Sequence, residues 1–380
     1  MIVRTTRAAV ALLCATAVAV LPATAAQADQ IRDDQWHLRY LKISEAHKTS
    51  QGKGVTVAVI DSGVDPHPDL RNNLLSGIDS YPGGTGKGQA DPDGHGTRMA
   101  GLIAAHGRPG GRGALGIAPQ ANILPIRDSR SPNDQSSDGM ARGIDWAVSH
   151  GARVISISTT AGSTTELRES VAAAIQADVV VVAGTGNRGI LVGFPAAYEG
   201  VVAVAATDRN GNHADFSVTG SKVVIAAPGE DILSTVPGGR YLSRSGTSSS
   251  TAIVAGAAAL IRSKYPDLSA KEVVHRLTAT ADDKGAPGRD EEYGYGVLDI
   301  VAALTADVPP LEGDAQPTGA ATPEPTRTSD AAPDGGNASN VFTTVALVGC
   351  AAVVLFALLI TFLIIMLVRR RKPPAPRAPY

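Results

Sequence analysis

Runs of β-branched and other apolar residues recur along the middle of the chain and alternate with amphipathic segments. They predict five strands, at 55–60 (VTVAVI), 153–158 (RVISIS), 179–184 (VVVVAG), 201–206 (VVAVAA) and 223–228 (VVIAAP). Because these runs are apolar on both faces, they fit a parallel sheet that helices cover on both sides.

Helical periodicity lies between several of these strands, at 136–151 and 163–177, and again from Ser269. The third helix begins with Ser-x-x-Glu272, a capping box ahead of an apolar face. Such alternation predicts an α/β fold with a doubly wound, mainly parallel sheet flanked by helices. Functional groups in these sheets lie beyond the carboxyl ends of the strands.

The two ends of the 380-residue chain carry patterns of export and membrane insertion. A positively charged start, a short uncharged stretch and small residues up to Ala28 predict a signal peptide over 1–28. Residues 341–368 carry no charge and precede the basic run 369–372. They predict one transmembrane helix, with the tail 369–380 in the cytoplasm and the preceding domain outside.

Composition divides the exported part of the chain into three segments: an extension, a main domain and a stalk. Residues 29–54 form a short extension in which Trp36 and Leu38 are candidate anchors, and residues 55–307 form the main domain. Residues 308–340, rich in Pro, Ala and Thr, predict a disordered stalk.

Cysteine content and net charge argue against a disulfide in the exported domain and against a nucleic-acid partner. The two cysteines, Cys14 and Cys350, fall in the predicted signal and membrane segments, so the exported domain is predicted to contain no disulfide. The formal net charge of −2 gives no reason to expect a nucleic-acid partner.

Three polar residues stand where this fold places functional groups. Asp61 follows the first predicted strand, His95 lies between two glycines in DGHGTRMAG, and Ser248 opens the helix TSSSTAIVAGAAALI. Each alone has an ordinary structural explanation, such as a turn or a helix cap. Together they supply a carboxylate, a base and a hydroxyl nucleophile, which is what acyl transfer through a serine requires.

The order Asp, His, Ser and the frames VIDSGVDPHPDL, DGHGTRMAG and SGTSSSTAIVAG resemble the subtilisin-like serine proteases, over about residues 36–304. This resemblance implies that Asp61, His95 and Ser248 form a catalytic triad. It also implies that Asn187, in the loop AGTGNRG, donates its side-chain amide to the oxyanion beside the backbone N–H of Ser248.

The chain has three consecutive serines at the nucleophile position, and the resemblance selects the one that follows Gly-Thr, which is Ser248. Successive side chains on a helix turn by about 100°, so Ser249 and Ser250 cannot share its position. They are interpreted as small residues of the helix face.

Two departures from the family pattern concern substrate and metal. The substrate wall that usually reads Ser-Leu-Gly is Ser158-Thr159-Thr160, so no side-chain preference carries over. Secreted subtilisins often bind calcium after the histidine helix, but residues 106–116 here are basic and lack carboxylates. No metal is expected at that place, because calcium prefers anionic oxygen ligands, and no cofactor is expected.

The short extension, the stalk, the single membrane helix and the basic tail resemble the mycosins, membrane-anchored subtilases of type VII secretion systems. This implies a single-pass cell-membrane endopeptidase with an extracytoplasmic domain, which acts on proteins or peptides and contacts secretion-system membrane components. Two alternatives stay open. One is a surface-tethered processing or degradative protease unrelated to secretion, and the other is a structural subunit of a secretion complex in which catalysis is secondary.

Overall fold

The computed structural model describes residues 30–129 and 136–311. The predicted signal peptide, membrane helix and tail, and the stalk beyond residue 311, lie outside the described residues. Within the described ranges, no helix combines the length and apolar character needed to cross a bilayer.

The secondary structure alternates strands and helices. The strands are β1 (Thr56–Asp61), β2 (Ile78–Asp79), β3 (His106–Arg108), β4 (Arg112–Leu115), β5 (Asn122–Arg127), β6 (Val154–Ile157), β7 (Val180–Gly184), β8 (Val202–Thr207), β9 (Ile225–Pro228), β10 (Ile232–Val236) and β11 (Arg240–Arg244). The helices are α1 (Trp36–Tyr40), α2 (Ile43–Thr49), α3 (His95–Ala104), α4 (Ser137–Ser149), α5 (Thr165–Gln176), α6 (Thr247–Lys264), α7 (Ala270–Ala279) and α8 (Ile300–Thr305).

Seven strands form one sheet in the order β2-β5-β1-β6-β7-β8-β9, and every neighbouring pair is parallel. From β1 in the middle of the sheet, the chain passes to β2 at one edge, returns to β5 beside β1, and crosses to β6 on the other side. The predicted α/β class with a mainly parallel sheet is confirmed. The loops after β1, β5, β6 and β7 lie at the same edge of this sheet, because parallel strands share their carboxyl ends.

The core lies on both faces of the sheet. Val57 and Val59 of β1 pack in a cluster with α3 and α6, whereas Ala58 and Ile60 pack in a second cluster with α4 and α5. Successive side chains of a strand point to opposite faces, so burial of all four requires helices on both sides. This explains why the strand sequences are apolar throughout.

The elements agree with the sequence pattern at most positions. All five predicted strands are present with ends shifted by one or two residues, and the Ser269–Glu272 capping box is formed at α7. Strands β2 to β5, β10 and β11 were not predicted, and among them β5, which contains Pro125, lies inside the parallel sheet. The neighbouring N–H of Ile123 faces the edge of the sheet, where it donates to Asn73. The nitrogen of Pro125, two residues later, lies on the same side of the strand as that of Ile123. The N–H that proline lacks would therefore not have faced β1, and no hydrogen bond between β5 and β1 is lost.

The segment before β1 is part of the domain. Trp36 and Leu38 are buried in the core, and the indole N–H of Trp36 donates to the carbonyl of Glu230 at 3.2 Å. The Gln35 amide donates to the Leu115 carbonyl at 3.1 Å and accepts from the Leu115 N–H at 2.8 Å. These bonds hold α1 against the β4 strand and the loop after β9.

Candidate active site

Asp61 and His95 meet at the carboxyl end of β1. Asp61 is the last residue of that strand and is fully buried, and His95 is the first residue of α3. The His95 Nδ1 atom lies 2.8 Å from Asp61 Oδ1 and 2.9 Å from Oδ2. An ionised carboxylate only accepts hydrogen bonds, so Nδ1 carries a proton, and the neutral form of this ring has its lone pair on Nε2.

The carboxylate of Asp61 is held in its ionised form by the groups around it. Burial alone would raise its pKa, but the charge and hydrogen bond of His95 and the bonds from Ser62 outweigh burial and lower the pKa. The Ser62 N–H donates to Asp61 Oδ1 at 2.7 Å, and the Ser62 hydroxyl lies 3.1 Å from the same oxygen. That hydroxyl also accepts from the Gly96 N–H at 3.0 Å and lies 2.8 Å from Asp91 Oδ1.

No motif in the sequence singled out Ser62 or Asp91. Asp91 accepts from the N–H and the hydroxyl of Thr97 in the first turn of α3, at 2.8 and 2.6 Å. It therefore joins the start of the histidine helix to the loop after β1. Their only sequence signal is proximity to the histidine and aspartate motifs, which does not distinguish them from ordinary loop residues.

Ser248 is the second residue of α6 and lines the same cleft as His95. Its hydroxyl donates to the Ser158 carbonyl at 3.1 Å, and the Ser158 hydroxyl donates to the Ser248 carbonyl at 3.1 Å. Ser250 is fully buried and donates to the Ala227 carbonyl at 2.9 Å. The hydroxyl of Ser249 is also fully buried and has no hydrogen-bond partner in the part of the chain that the structure describes. The three serines therefore occupy three different environments.

Asn187 lies in the loop after β7, beside the start of α6. Its Oδ1 atom accepts from the Thr247 N–H at 2.7 Å and from the Thr247 hydroxyl at 3.0 Å. Because an N–H can only donate, these bonds fix which end of the amide is oxygen and leave the Nδ2 group for a ligand. Asn187 is exposed and lines the cleft with Ser248.

One cleft of about 1030 Å³ contains every side chain predicted for the site. The structure brings together in its lining Asp61, His95, Asn187, Ser158, Thr159, Thr160 and Ser248. They come from the ends of β1, β6 and β7 and from the starts of α3 and α6, which converge at the carboxyl edge of the sheet.

A second buried carboxylate lies beside this site and was not predicted. Asp128 follows β5, is fully buried, and its N–H donates to the Asp61 carbonyl at 3.0 Å. Burial and the nearby charge of Asp61 raise the pKa of Asp128 to about 8. Ser129 opposes this shift, but neither oxygen has a hydrogen-bond partner among the described residues.

Residues 106–116, where no calcium was expected, form the β3–β4 hairpin. Within it, Arg108 Nε donates to Asp69 Oδ1 at 2.6 Å. The other oxygen of Asp69 accepts from the Ala114 N–H at 2.8 Å and the Tyr241 hydroxyl at 2.7 Å. Protein donors thus surround this carboxylate. Residues 30–129 and 136–311 contain no cluster of three or more His, Cys, Asp or Glu side chains able to hold a metal ion.

A family model for the subtilases matches residues 52–296. The chain belongs to the subtilase family. This subtilase is 38% identical over 271 residues to the thermostable alkaline protease of Halalkalibacterium halodurans, a match that covers 69% of this chain and 71% of that protein. The domain is therefore that of a serine endopeptidase.

Solved structures similar to this subtilase include two mycosins. The structure of MycP1 with its N-terminal propeptide removed has a TM-score of 0.66 and 34% identity, covering 72% of this chain and 98% of MycP1. The MycP3 protease from the type VII (ESX-3) secretion system has a TM-score of 0.63 and 36% identity, covering 72% of this chain and 88% of MycP3. The resemblance to mycosins inferred from the chain's architecture is confirmed.

Proposed function

We propose that this subtilase hydrolyses peptide bonds through an acyl-enzyme on Ser248, with His95 as general base and Asp61 as its orienting carboxylate. The observation that carries the proposal is the pair of contacts from His95 Nδ1 to the Asp61 carboxylate, at 2.8 and 2.9 Å. They orient the ring and make Nε2 the basic nitrogen of its neutral form, in a cleft that Ser248 also lines. A base of this kind is what a serine hydroxyl needs to become a nucleophile.

In acylation, the Ser248 hydroxyl leaves the Ser158 carbonyl and turns to His95. Its oxygen attacks the scissile carbonyl carbon while its proton passes to His95 Nε2. The negative oxygen of the tetrahedral intermediate accepts bonds from Asn187 Nδ2 and the Ser248 N–H. The C–N bond then breaks, and the proton on Nε2 passes to the departing amine.

In deacylation, a water molecule takes the place of the amine. His95 Nε2 accepts one of its protons as the water oxygen attacks the ester carbon. The bond to Ser248 Oγ breaks, and the proton returns from Nε2 to that oxygen. A carboxylic acid product leaves, and the serine and the neutral imidazole are restored.

A serine-directed phosphonate tests the chemical assignment. The reagent should label Ser248, and His95→Ala should abolish labelling and peptide hydrolysis. Ser249→Ala is the matched control, because it makes the same change one residue along the helix at a hydroxyl with no partner among the described residues. It should keep both activities. Labelling of Ser249 or Ser250 in the native protein would contradict the proposal.

We also propose that the protease is anchored in the cell membrane by residues 341–368, faces the outside, and serves a type VII secretion system. The likeness to the MycP1 and MycP3 structures supports the link to secretion, and the uncharged run followed by basic residues supports the anchor. In cells, the full chain should stay with membranes after alkaline extraction, and a chain ending at Asp307 should be released.

The same cells separate proteolysis from scaffolding. Ser248→Ala should leave the secretion complex assembled but abolish processing of its substrates. Loss of assembly in this variant would show that the serine has a structural role. Normal processing and secretion by the variant would show that another protease does the work.

A further inference from the structure

Threonines line the cleft on one side of Ser248. Thr159 and Thr160 follow Ser158 at the end of β6, and Thr185 follows β7. Because β6 and β7 are neighbours in the sheet, these residues lie on adjacent walls.

Two of these hydroxyls are buried without a partner. Thr159 Oγ1 and Thr185 Oγ1 have no solvent contact and no hydrogen bond within the described residues, and Thr185 is buried as a whole residue. A buried hydroxyl without a partner is destabilising, and most such groups in native proteins are paired. Because neither oxygen is open to the cleft as the side chains lie, a ligand group supplies the missing partner where the threonine rotates about χ1 to meet it.

The space between these walls is narrow. A Cβ atom placed on Gly193 would lie 2.8 Å from the Thr160 methyl, so the glycine backbone and the threonine are nearly in contact. The Gly193 N–H donates to the Thr185 carbonyl at 3.0 Å, and the Ala161 N–H donates to the Phe194 carbonyl at 3.0 Å. These backbone bonds hold the segments in place, and the Thr160 methyl occupies the space beside Gly193.

Apolar residues also line the cleft. The Phe194 ring lies against the Tyr198 ring, with centroids 4.7 Å apart, and Leu191 lines the cleft while 78% exposed. With Val192 and Phe216, they make the lining mixed, and the threonines are its polar part.

The chemistry of the proposed reaction identifies which part of a substrate meets the threonines. The departing amine has to reach His95 Nε2 for its proton, so it lies on the His95 side of Ser248. The residue that forms the acyl-enzyme then extends to the other side, along Ser158, Thr159 and Thr160. This step rests on the proposed function.

We propose that this subtilase selects a small side chain with a hydrogen-bonding group, as in threonine, serine or asparagine, on the acyl side of the scissile bond. The Thr159 and Thr185 hydroxyls bind the polar group, and Thr160 against Gly193 excludes large rings. An apolar side chain of equal size leaves both hydroxyls unpaired. Such a mismatch is a strong basis for discrimination.

Peptides that differ only at this residue test the selection. A threonine peptide should be cleaved with a kcat/KM on the order of tenfold above its valine isostere, as expected for one buried hydrogen bond to a neutral group. Asparagine should exceed leucine in the same way, and phenylalanine should be the poorest of the set. A valine peptide cleaved as well as the threonine peptide, or better, would overturn the proposal.

Isosteric variants assign the effect to the two hydroxyls. Thr185→Val and Thr159→Val should each bring the threonine-to-valine ratio toward one. The matched control is Thr207→Val, since Thr207 is equally buried, has an unpartnered hydroxyl among the described residues, and lies at the end of β8 away from the cleft lining. The control should keep the native ratio, and an equal change in the control would overturn the assignment.

One further variant and one control complete the test. Thr160→Gly should raise kcat/KM for the phenylalanine peptide relative to the threonine peptide, because it opens the pocket beside Gly193. Ser248→Ala should abolish cleavage of every peptide. Cleavage that survives in Ser248→Ala would refute the proposed function, whereas Ser248-dependent cleavage with a preference for valine would refute only the selection.

Discussion

Two buried carboxylates lie side by side in this protein and have opposite protonation behaviour. Asp61 ends β1 and Asp128 follows β5, each is followed by serine, and a backbone bond of 3.0 Å joins them. Both are fully buried. Yet the pKa of Asp61 is lowered, whereas that of Asp128 is raised to about 8.

The difference comes from the donors around each carboxylate. Asp61 has the His95 ring N–H and two donors from Ser62, so its ionised form is stabilised in spite of burial. Asp128 has burial and a neighbouring negative charge, and the opposing effects of Ser129 and of its own backbone do not offset them. Burial alone therefore favours the neutral acid, and the hydrogen-bond donors decide which buried carboxylate stays ionised.

The largest expected effect comes from Asp61→Asn. The amide keeps the shape of the side chain but removes the charge and allows the wrong imidazole tautomer, so kcat should fall by about 10⁴. Steady-state hydrolysis of a peptide substrate measures it. Asp128→Asn makes the same change on the adjacent strand and should cost less than tenfold. Equal losses in the two variants would contradict the distinction between the carboxylates.

Asp128→Asn should instead change the pH dependence of stability. The folded state holds the Asp128 proton up to about pH 8, and the unfolded chain releases it near 3.8. The free energy of unfolding therefore falls as pH rises between these values, by up to about 1.4 kcal/mol per pH unit. The variant lacks this proton. Its free energy of unfolding should therefore exceed that of the native protein most near pH 8 and least near pH 4. Urea denaturation across this range measures the difference in free energy of unfolding between the two proteins. A difference that grows toward acid pH would refute the raised pKa of Asp128.

Asp61 and Asp128 also show what the sequence could and could not predict. Asp-Ser follows an apolar segment in both places, so the local pattern is nearly the same. Only the distant motifs around His95 and Ser248 distinguish Asp61, and these are strong because order, frame and spacing agree. Asp128 has no such companion in sequence, and its environment arises from packing between β5 and α4.

The fold shows the same difference between what a local sequence pattern predicts and what only the assembled structure determines. Strands with an unbroken apolar pattern were predicted to within two residues, because burial on both faces requires that pattern. Strand β5 was missed, since the tolerance of Pro125 depends on the direction of its absent N–H in the finished sheet. The threonine hydroxyls of the cleft were likewise visible as residues, but their lack of partners is a property of the assembled walls.

His37 extends the comparison from acids to bases. It is fully buried, neither ring nitrogen has a hydrogen-bond partner in the described ranges, and burial lowers its pKa from 6.5 to about 3. As pH falls through 6.5 the unfolded chain binds a proton that the folded state refuses. The free energy of unfolding should then fall by up to about 1.4 kcal/mol per pH unit down to pH 3.

His37→Phe removes this sensitivity. Urea denaturation between about pH 7 and pH 4 should show a shallower loss of stability in the variant than in the native protein. His150→Gln, at an exposed histidine of the α4 C-terminus, is the control and should keep the native slope. An unchanged slope in His37→Phe would mean that the folded protein accommodates the charged ring.

The smallest effect is expected from Ser62→Ala, which weakens the support of Asp61 without removing its charge. The variant loses the hydroxyl 3.1 Å from Asp61 Oδ1 but keeps the backbone donor at 2.7 Å, so kcat/KM should fall by about three- to tenfold, as for the loss of one hydrogen bond. The pKa of Asp61 should rise, because that hydroxyl helps to lower it. An NMR titration of the Asp61 carboxyl carbon should show this rise, a change that a general loss of packing would not produce. An unchanged Asp61 pKa would show that Ser62 acts through the Gly96 and Asp91 contacts instead.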